Sequence, residues 1–334
     1  MKTFLGVDGG GTKTDFLLID ATGAVLAAHR GGSAYYLEAG FDAVQAMFAA
    51  GIQATLRQAG IAASELEFAF LGLPAYGEDK ALLPRLDGLV ADVLPAGRYR
   101  CGNDVVCGWA GALAAGDGIN IVAGTGSIAY GEFQGRGARA GGWGELFSDE
   151  GSAYWIAREG LSLFSRMSDG RAAKGALYEL IRGHFRLDSD LDVCAAVYGP
   201  PPLTRSGLAA LAPLVARAAR EGDTAARGLF EQAARELAAV VYAVRDQLNV
   251  PAQTLLRVSY SGGMFRLAGL LKPMLEMALG ANERRHRYEF VAPRLSPMAG
   301  AALYAARLSG VPLAVESVGA LARTVEGAAV EDDV

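Results

Sequence analysis

Only three cysteines and three histidines occur in the 334 residues. Cys101, Cys107 and Cys194 are odd in number and have no close partner in sequence, which argues against a disulfide framework and suits free thiols in a reducing compartment. So few histidines leave little from which to build a Cys/His zinc site. Long apolar runs are missing too. Apolar residues make up 51%, but alanine inflates that figure, and no uninterrupted stretch approaches the roughly 20 residues that cross a bilayer. The N-terminal run reaches Asp8 before a signal-peptide core of about 7–15 apolar residues can form. A soluble cytoplasmic protein without a membrane partner is therefore expected. Positive charge is equally short. The net charge of −5 offers no global attraction for a nucleic-acid backbone, so no nucleic-acid partner is expected. Arg284, Arg285, His286 and Arg287 form the local exception, which reads as a solvated loop rather than an anion site.

What is present is length, glycine and an alternation of strand and helix patterns. A chain of this size divides most naturally into two domains. Thr3–Val7 and Asp15–Asp20 read as strands around a glycine turn, with a third strand over Ala24–His29. A helix is expected over Phe41–Ala59, a buried strand over Phe68–Leu73, another strand over Tyr99–Asp104, and a helix over Val105–Ala115. Ile119–Ala123 and Ile128–Phe133 then repeat the opening arrangement of strand, glycine turn and strand, which suggests two related α/β halves. Helical spacing returns over Glu150–Gly160 and over Leu208–Leu248. A short strand, Val258–Tyr260, and a helix over Pro297–Arg307 follow. The acidic stretch 326–334 reads as a frayed tail.

Three glycine segments follow strands. In Asp8-Gly9-Gly10-Gly11-Thr12-Lys13-Thr14 the glycines let backbone N–H groups approach a polyphosphate, Asp8 is placed to hold hydrated Mg²⁺, and the Thr12 hydroxyl to donate to a phosphate oxygen. The Gly-Lys-Ser/Thr order and following helix of a Walker A loop are both missing, and an ordinary hairpin turn remains the alternative. Gly124-Thr125-Gly126-Ser127 occupies the equivalent place in the second half and favours a two-sided clamp on ATP. Gly262-Gly263-Met264 would let the chain lie flat against a base or ribose. Asp104 lies between a strand and a helix, where it can serve either as a base toward a substrate hydroxyl or as a helix N-cap. Asp149 and Glu150 read as the first turn of a helix, where the macrodipole favours acidic residues. Trp155 and Tyr154 read as helix core.

The order Asp8-Gly-Gly-Gly-Thr12, Asp104, Gly124-Thr-Gly-Ser127, Gly141-Gly142-Trp143-Gly144, Asp149-Glu-Gly-Ser-Ala-Tyr-Trp155 and Gly262-Gly263 resembles the N-acetylglucosamine kinase family over nearly the whole chain. That family belongs to the superfamily of actin, sugar kinases and heat-shock chaperone ATPases. The resemblance implies an α/β fold of two ribonuclease H-like lobes around an interdomain nucleotide and sugar cleft. The first lobe would span about 1–115, with the helix near 297–307 packing back on it, and the second 116–296. It implies ATP and Mg²⁺ as cofactors, an amino sugar as substrate, and Asp104 as catalytic base. Gly9, Gly10, Gly11, Thr12, Lys13, Gly124, Thr125, Gly126, Ser127, Gly262, Gly263 and Met264 would meet the nucleotide, and Asp8 the metal. Gly142, Trp143, Asp149 and Ser152 would meet the sugar beside Asp104. The family pattern also admits a homodimer.

Two departures bear on the sugar. The family's Asn after the third strand is absent from Gly32-Ser33-Ala34-Tyr35-Tyr36, leaving Ser33 or Tyr35 to substitute. The family's Ser-Gly loop is replaced by Pro74-Ala75-Tyr76-Gly77-Glu78, and a carboxylate there would favour an amine over an acetamide, making glucosamine a rival to N-acetylglucosamine. Activator ATPases of 2-hydroxyacyl-CoA dehydratases share the superfamily but use cysteines to bridge an iron–sulfur cluster, and Cys101 and Cys107 form no evident cluster pair. A sugar sensor that has lost turnover is the third reading.

Overall fold

The computed structural model describes residues 1–267, 269–281 and 286–331. It divides into two compact units, one of residues 1–117 with 292–334 and one of residues 118–291. Unit 1 opens with β1 (Thr3–Gly9), β2 (Thr14–Asp20), β3 (Val25–Gly31), α1 (Tyr36–Ala39) and α2 (Phe41–Ala59). It continues with β4 (Phe68–Leu73), α3 (Leu83–Asp87), β5 (Tyr99–Asn103) and α4 (Val105–Leu113). Unit 2 carries β6 (Gly118–Ala123), β7 (Ser127–Phe133), β8 (Arg136–Gly141), α5 (Ala153–Ser168), α6 (Ala176–Phe185), α7 (Asp192–Tyr198) and α8 (Arg205–Ala209). It ends with α9 (Ala212–Arg220), α10 (Thr224–Gln247), β9 (Leu255–Ser261), α11 (Leu271–Gly280) and β10 (Arg287–Phe290). The chain then re-enters unit 1 as α12 (Pro297–Leu308) and α13 (Val315–Glu331).

Each unit is built on one mixed five-stranded sheet, in the order β3-β2-β1-β4-β5 in the first and β8-β7-β6-β9-β10 in the second. In both, three strands form an antiparallel meander whose first strand pairs in parallel with a fourth, and the fourth in turn pairs in parallel with a fifth. The two sheets thus share one topology, as the repeated strand–glycine turn–strand pattern suggests.

Apolar side chains decide the layers. Leu5, Val7, Phe16, Leu18 and Leu71 are buried against Val44, Phe48 and Ile52 of α2, which sit at helical spacing along one face. On α12, Ala299, Gly300, Ala301 and Ala302 are small enough for the helix backbone to touch the sheet and α4. A Cβ built on Gly6 of β1 would lie 2.7 Å from the Ala301 carbonyl carbon, and one on Gly300 would lie 2.6 Å from the Gly111 Cα. In unit 2, Leu237, Val241 and Val244 of α10 pack with Ile119, Ile121 and Val258 of the sheet.

Several sequence expectations need correction. The helix expected from Glu150 starts at Ala153, because Gly151 takes a left-handed φ of 80° and Ser152 supplies the cap. The helical run over 208–248 is three helices. Pro213 sits in the first turn of α9, and Asp223 caps α10 after a left-handed Gly222. Arg287 opens β10 rather than lying in a loop, and Arg284 and Arg285 fall outside the described residues. Much of the stretch read as a frayed tail is helical, since α13 continues to Glu331 from turns anchored by buried Val318 and Leu321. Residues 332–334 lie outside the described residues. No helix among the described residues is long and apolar enough to cross a membrane.

Candidate active site

In unit 1 the hairpin between β1 and β2 is closed by Gly10 N–H donating to the Lys13 carbonyl at 2.9 Å. The loop after β3 is drawn to it, with Ala34 N–H on the Gly10 carbonyl at 2.9 Å and the Thr14 hydroxyl on the Gly32 carbonyl at 2.8 Å. This brings Ser33 and Tyr35 beside Gly9–Lys13. Gly9 is required by space, since a Cβ there would lie 2.6 Å from the Gly72 carbonyl oxygen. Gly11, Thr12 and Lys13 are exposed at the tip, and the Lys13 ammonium stands 3.0 Å from the Asp15 carboxylate.

Asp8, the last residue but one of β1, lies opposite Gly72 of β4. Burial, followed by the like charges of Asp104 and Asp15, pushes its carboxyl up to about 7. Beneath the pair lies Cys107, whose thiol is fully buried and faces the Val7 carbonyl at 3.6 Å. Burial and the neighbouring Asp8 and Asp104 carboxylates hold that thiol protonated, so it remains a hydrogen-bond donor beside Asp8.

Asp104 stands at the end of β5, where its own N–H donates to the Leu73 carbonyl at 3.2 Å. It occupies the N-cap position of α4, yet its side chain makes no cap hydrogen bond. Asn103 satisfies the first turn instead, accepting Val105 N–H at 3.2 Å while its amide donates to the Tyr76 carbonyl at 3.1 Å. The capping alternative for Asp104 thus falls to its neighbour, and the Asp104 charge acts on Asp8. Asp8 and Asp104 are the side chains here that could hold a divalent cation, whose charge would favour the ionised form of Asp8. Nearby, Glu78 and Asp79 add to burial in raising the Tyr36 hydroxyl pKa, which places Glu78 close to the Ser33–Tyr36 loop.

In unit 2, two separate glycine segments converge. Gly124, Thr125, Gly263 and Met264 line one cavity of about 470 Å³, together with Ser206 and Leu267. Gly262 lies against the Ala123 carbonyl with φ 102°, leaving no room for a side chain. The loop over Gly124–Ser127 is fixed from below. Ala153 N–H donates to the Gly124 carbonyl at 2.8 Å, Ser127 N–H to the Asp149 carboxylate at 3.2 Å, and the Ser127 hydroxyl to the Glu150 carbonyl at 2.7 Å. A neighbouring cavity of about 520 Å³ shares Pro213 and Leu267 but holds none of the residues singled out from sequence.

The expected sugar contacts of this unit divide. Ser152 is fully buried and accepts Trp155 N–H at 3.1 Å, so its hydroxyl caps α5 and is not presented to a ligand. Asp149 is buried at φ 64° and paired with Arg205. Trp143 is 70% exposed, as are the nearby Leu146 and Phe147 to a similar degree, while Gly142 is left-handed and packs on Ile128. Arg205, Ser206 and Asn103 escape sequence reasoning. Thr204 before Arg205 is a legible cap signal, but nothing local points to the partner 56 residues away.

The chain is 27% identical over 318 residues to the N-acetyl-D-glucosamine kinase of Dictyostelium discoideum, covering 91% of this chain and 98% of that one. It is 29% identical to the N-acetylmuramic acid/N-acetylglucosamine kinase of Clostridium acetobutylicum, covering 75% and 81%. Among solved structures, a candidate N-acetylglucosamine kinase from Chromobacterium violaceum matches with a TM-score of 0.67 at 27% identity, over 91% of this chain and 98% of that one. A ROK family glucokinase from Streptomyces griseus shares the fold with a TM-score of 0.53 at 19% identity, over 91% and 98%. The architecture is the α/β fold of the sugar kinases and actin-like ATPases. The model of the BadF/BadG/BcrA/BcrD ATPase family matches residues 5–305, and the chain belongs to that family.

Proposed function

We propose that the chain transfers the terminal phosphoryl group of ATP to an amino sugar, N-acetyl-D-glucosamine first, giving the 6-phosphate with Asp104 as general base. The observation that carries this reading is Asp104 itself: a carboxylate at a strand end, relieved of capping by Asn103 and set beside Asp8. As the sugar 6-oxygen bonds to the γ-phosphorus, the bond from phosphorus to the bridging oxygen of ADP breaks, and the hydroxyl proton passes to Asp104. Asp8 would hold the hydrated Mg²⁺, which would supply positive charge against that of the phosphates. In unit 2 the cavity beside Gly263 and Met264 takes the base and ribose, and Gly124–Ser127 offers backbone donors to the phosphates. Gly9–Lys13 offers a second set. The names and extensive coverage of the Dictyostelium and Clostridium relatives support an N-acetylglucosamine-like substrate.

Glucosamine is the second reading, favoured by Glu78 near the loop that carries Ser33 and Tyr35. A Glu78→Gln variant with an unchanged preference between the two sugars would remove that rationale. The activator-ATPase reading gains nothing from the cysteines, since Cys101 and Cys107 are both buried.

The deciding assay follows ADP release from MgATP with N-acetylglucosamine, glucosamine, N-acetylmannosamine, N-acetylmuramic acid and glucose. Strong stimulation by N-acetylglucosamine is expected, and silence with every sugar would reject the kinase reading.

A further inference from the structure

A charge pair stands beside the cavity assigned to the nucleotide. Arg205, the first residue of α8, places its guanidinium on the Asp149 carboxylate, and its Nε lies 3.3 Å from Glu145 Oε2. Asp149 has only 3% of its side chain exposed, whereas Glu145 has 35% and is screened by water. The same Asp149 carboxylate accepts Ser127 N–H at 3.2 Å and so fixes the end of the Gly124–Ser127 loop. Gly126 makes the arrangement fit, because a Cβ there would lie 2.9 Å from Asp149 Oδ2 and against the Arg205 guanidinium. Ser206, next in the chain, lines the cavity with Gly124 and Thr125.

A buried carboxylate is thus used as a backbone acceptor directly behind the loop assigned to the ATP phosphates. Uncompensated, its charge would act on a polyphosphate through little water and oppose binding. We propose that Arg205 is a positioning residue for nucleotide binding: it neutralises Asp149, so that this carboxylate can hold the Gly124–Ser127 loop without repelling the phosphates it serves. The inference rests on the assignment of that loop to ATP.

The test measures MgADP affinity by calorimetry for the wild type, Arg205→Met, Arg205→Lys, Asp149→Asn and the Asp149→Asn/Arg205→Met double variant. Arg205→Met is expected to weaken binding by roughly tenfold to a hundredfold, with the deficit shrinking as salt is raised. Arg205→Lys, which keeps the charge, is expected to bind close to the wild type and to show that the site tolerates change at this position. Asp149→Asn keeps an acceptor for Ser127 N–H while removing the charge, so the double variant should recover most of the lost affinity. A merely structural ion pair would not give that rescue. Arg205→Met binding MgADP like the wild type, or a cooperatively melting double variant as weak as the single one, would overturn the proposal. Wild-type protein that binds no MgADP would sink the kinase reading together with this inference, whereas the two failures at Arg205 leave the kinase reading standing.

Discussion

Asn103 and Asp104 are adjacent, both short and polar, and either type is a good helix cap. The structure divides the work between them, and the division is invisible in sequence because it depends on which side chain turns toward Val105 N–H and Tyr76. Replacing Asp104 by Asn keeps size and polarity but removes the proposed proton acceptor. We expect Asp104→Asn to lower kcat by roughly 10²–10⁴-fold while MgADP affinity changes little, checked by steady-state kinetics beside calorimetry. Asp8 yields a pH prediction. Its carboxyl is raised from 3.8 to about 7 in the folded protein, chiefly by burial. Its contribution to stability is therefore fully present below about pH 4, falls as pH rises toward 7, and stays lost above that. In metal-free buffer, Asp8→Asn is expected to gain stability over the wild type between pH 5 and pH 8, with a ceiling of roughly 3 kcal/mol. Thermal melts of both proteins at the two pH values check this, and a pH-independent difference would contradict it.

At the scale of elements, strands and single amphipathic helices were legible because hydrophobic periodicity is a local signal. The helix Phe41–Ala59 and the strand Phe68–Leu73 emerge with the bounds that their patterns suggest. The start of α5 did not, since Asp149 and Glu150 look like a first helical turn, whereas their carboxylate and carbonyl belong to the Gly124–Ser127 loop. The decisive signal was Gly151-Ser152, a left-handed glycine followed by a capping serine. Ser152→Ala is expected to destabilise the protein by about 1 kcal/mol and to leave the sugar KM within about twofold, as a cap loss would. A large KM increase would return Ser152 to the sugar site. Arg205 could not be found from its own segment, because its meaning resides in Asp149 and Gly126, which the fold alone brings to it.

At the scale of the whole molecule, the two sheets repeat one strand order, but the chain does not treat the units alike. Unit 2 is a single continuous stretch, residues 118–291, while unit 1 needs both ends of the chain. Its core is closed by α12, whose glycine and alanine face lies on β1 and α4. A fragment of residues 118–291 is accordingly expected to fold and melt cooperatively, whereas residues 1–117 alone are expected to stay non-cooperative until a peptide covering 292–313 is added. Circular dichroism and urea titration of the separate pieces check both expectations. A cooperative melt from 1–117 alone would show that α12 is an accessory to that core.

The backbone-close seat of α12 also sets an order of events at the ribosome. Residues 1–117 emerge first but lack the helix that covers β1, and nearly 180 further residues must be made before it appears. At roughly 5–20 residues per second, the apolar surface around Gly6 waits on the order of ten to forty seconds. The nascent chain's exposure to chaperones is therefore fixed by where one small-residue helix lies in the gene, and unit 2, although later in the sequence, is the first that can finish folding.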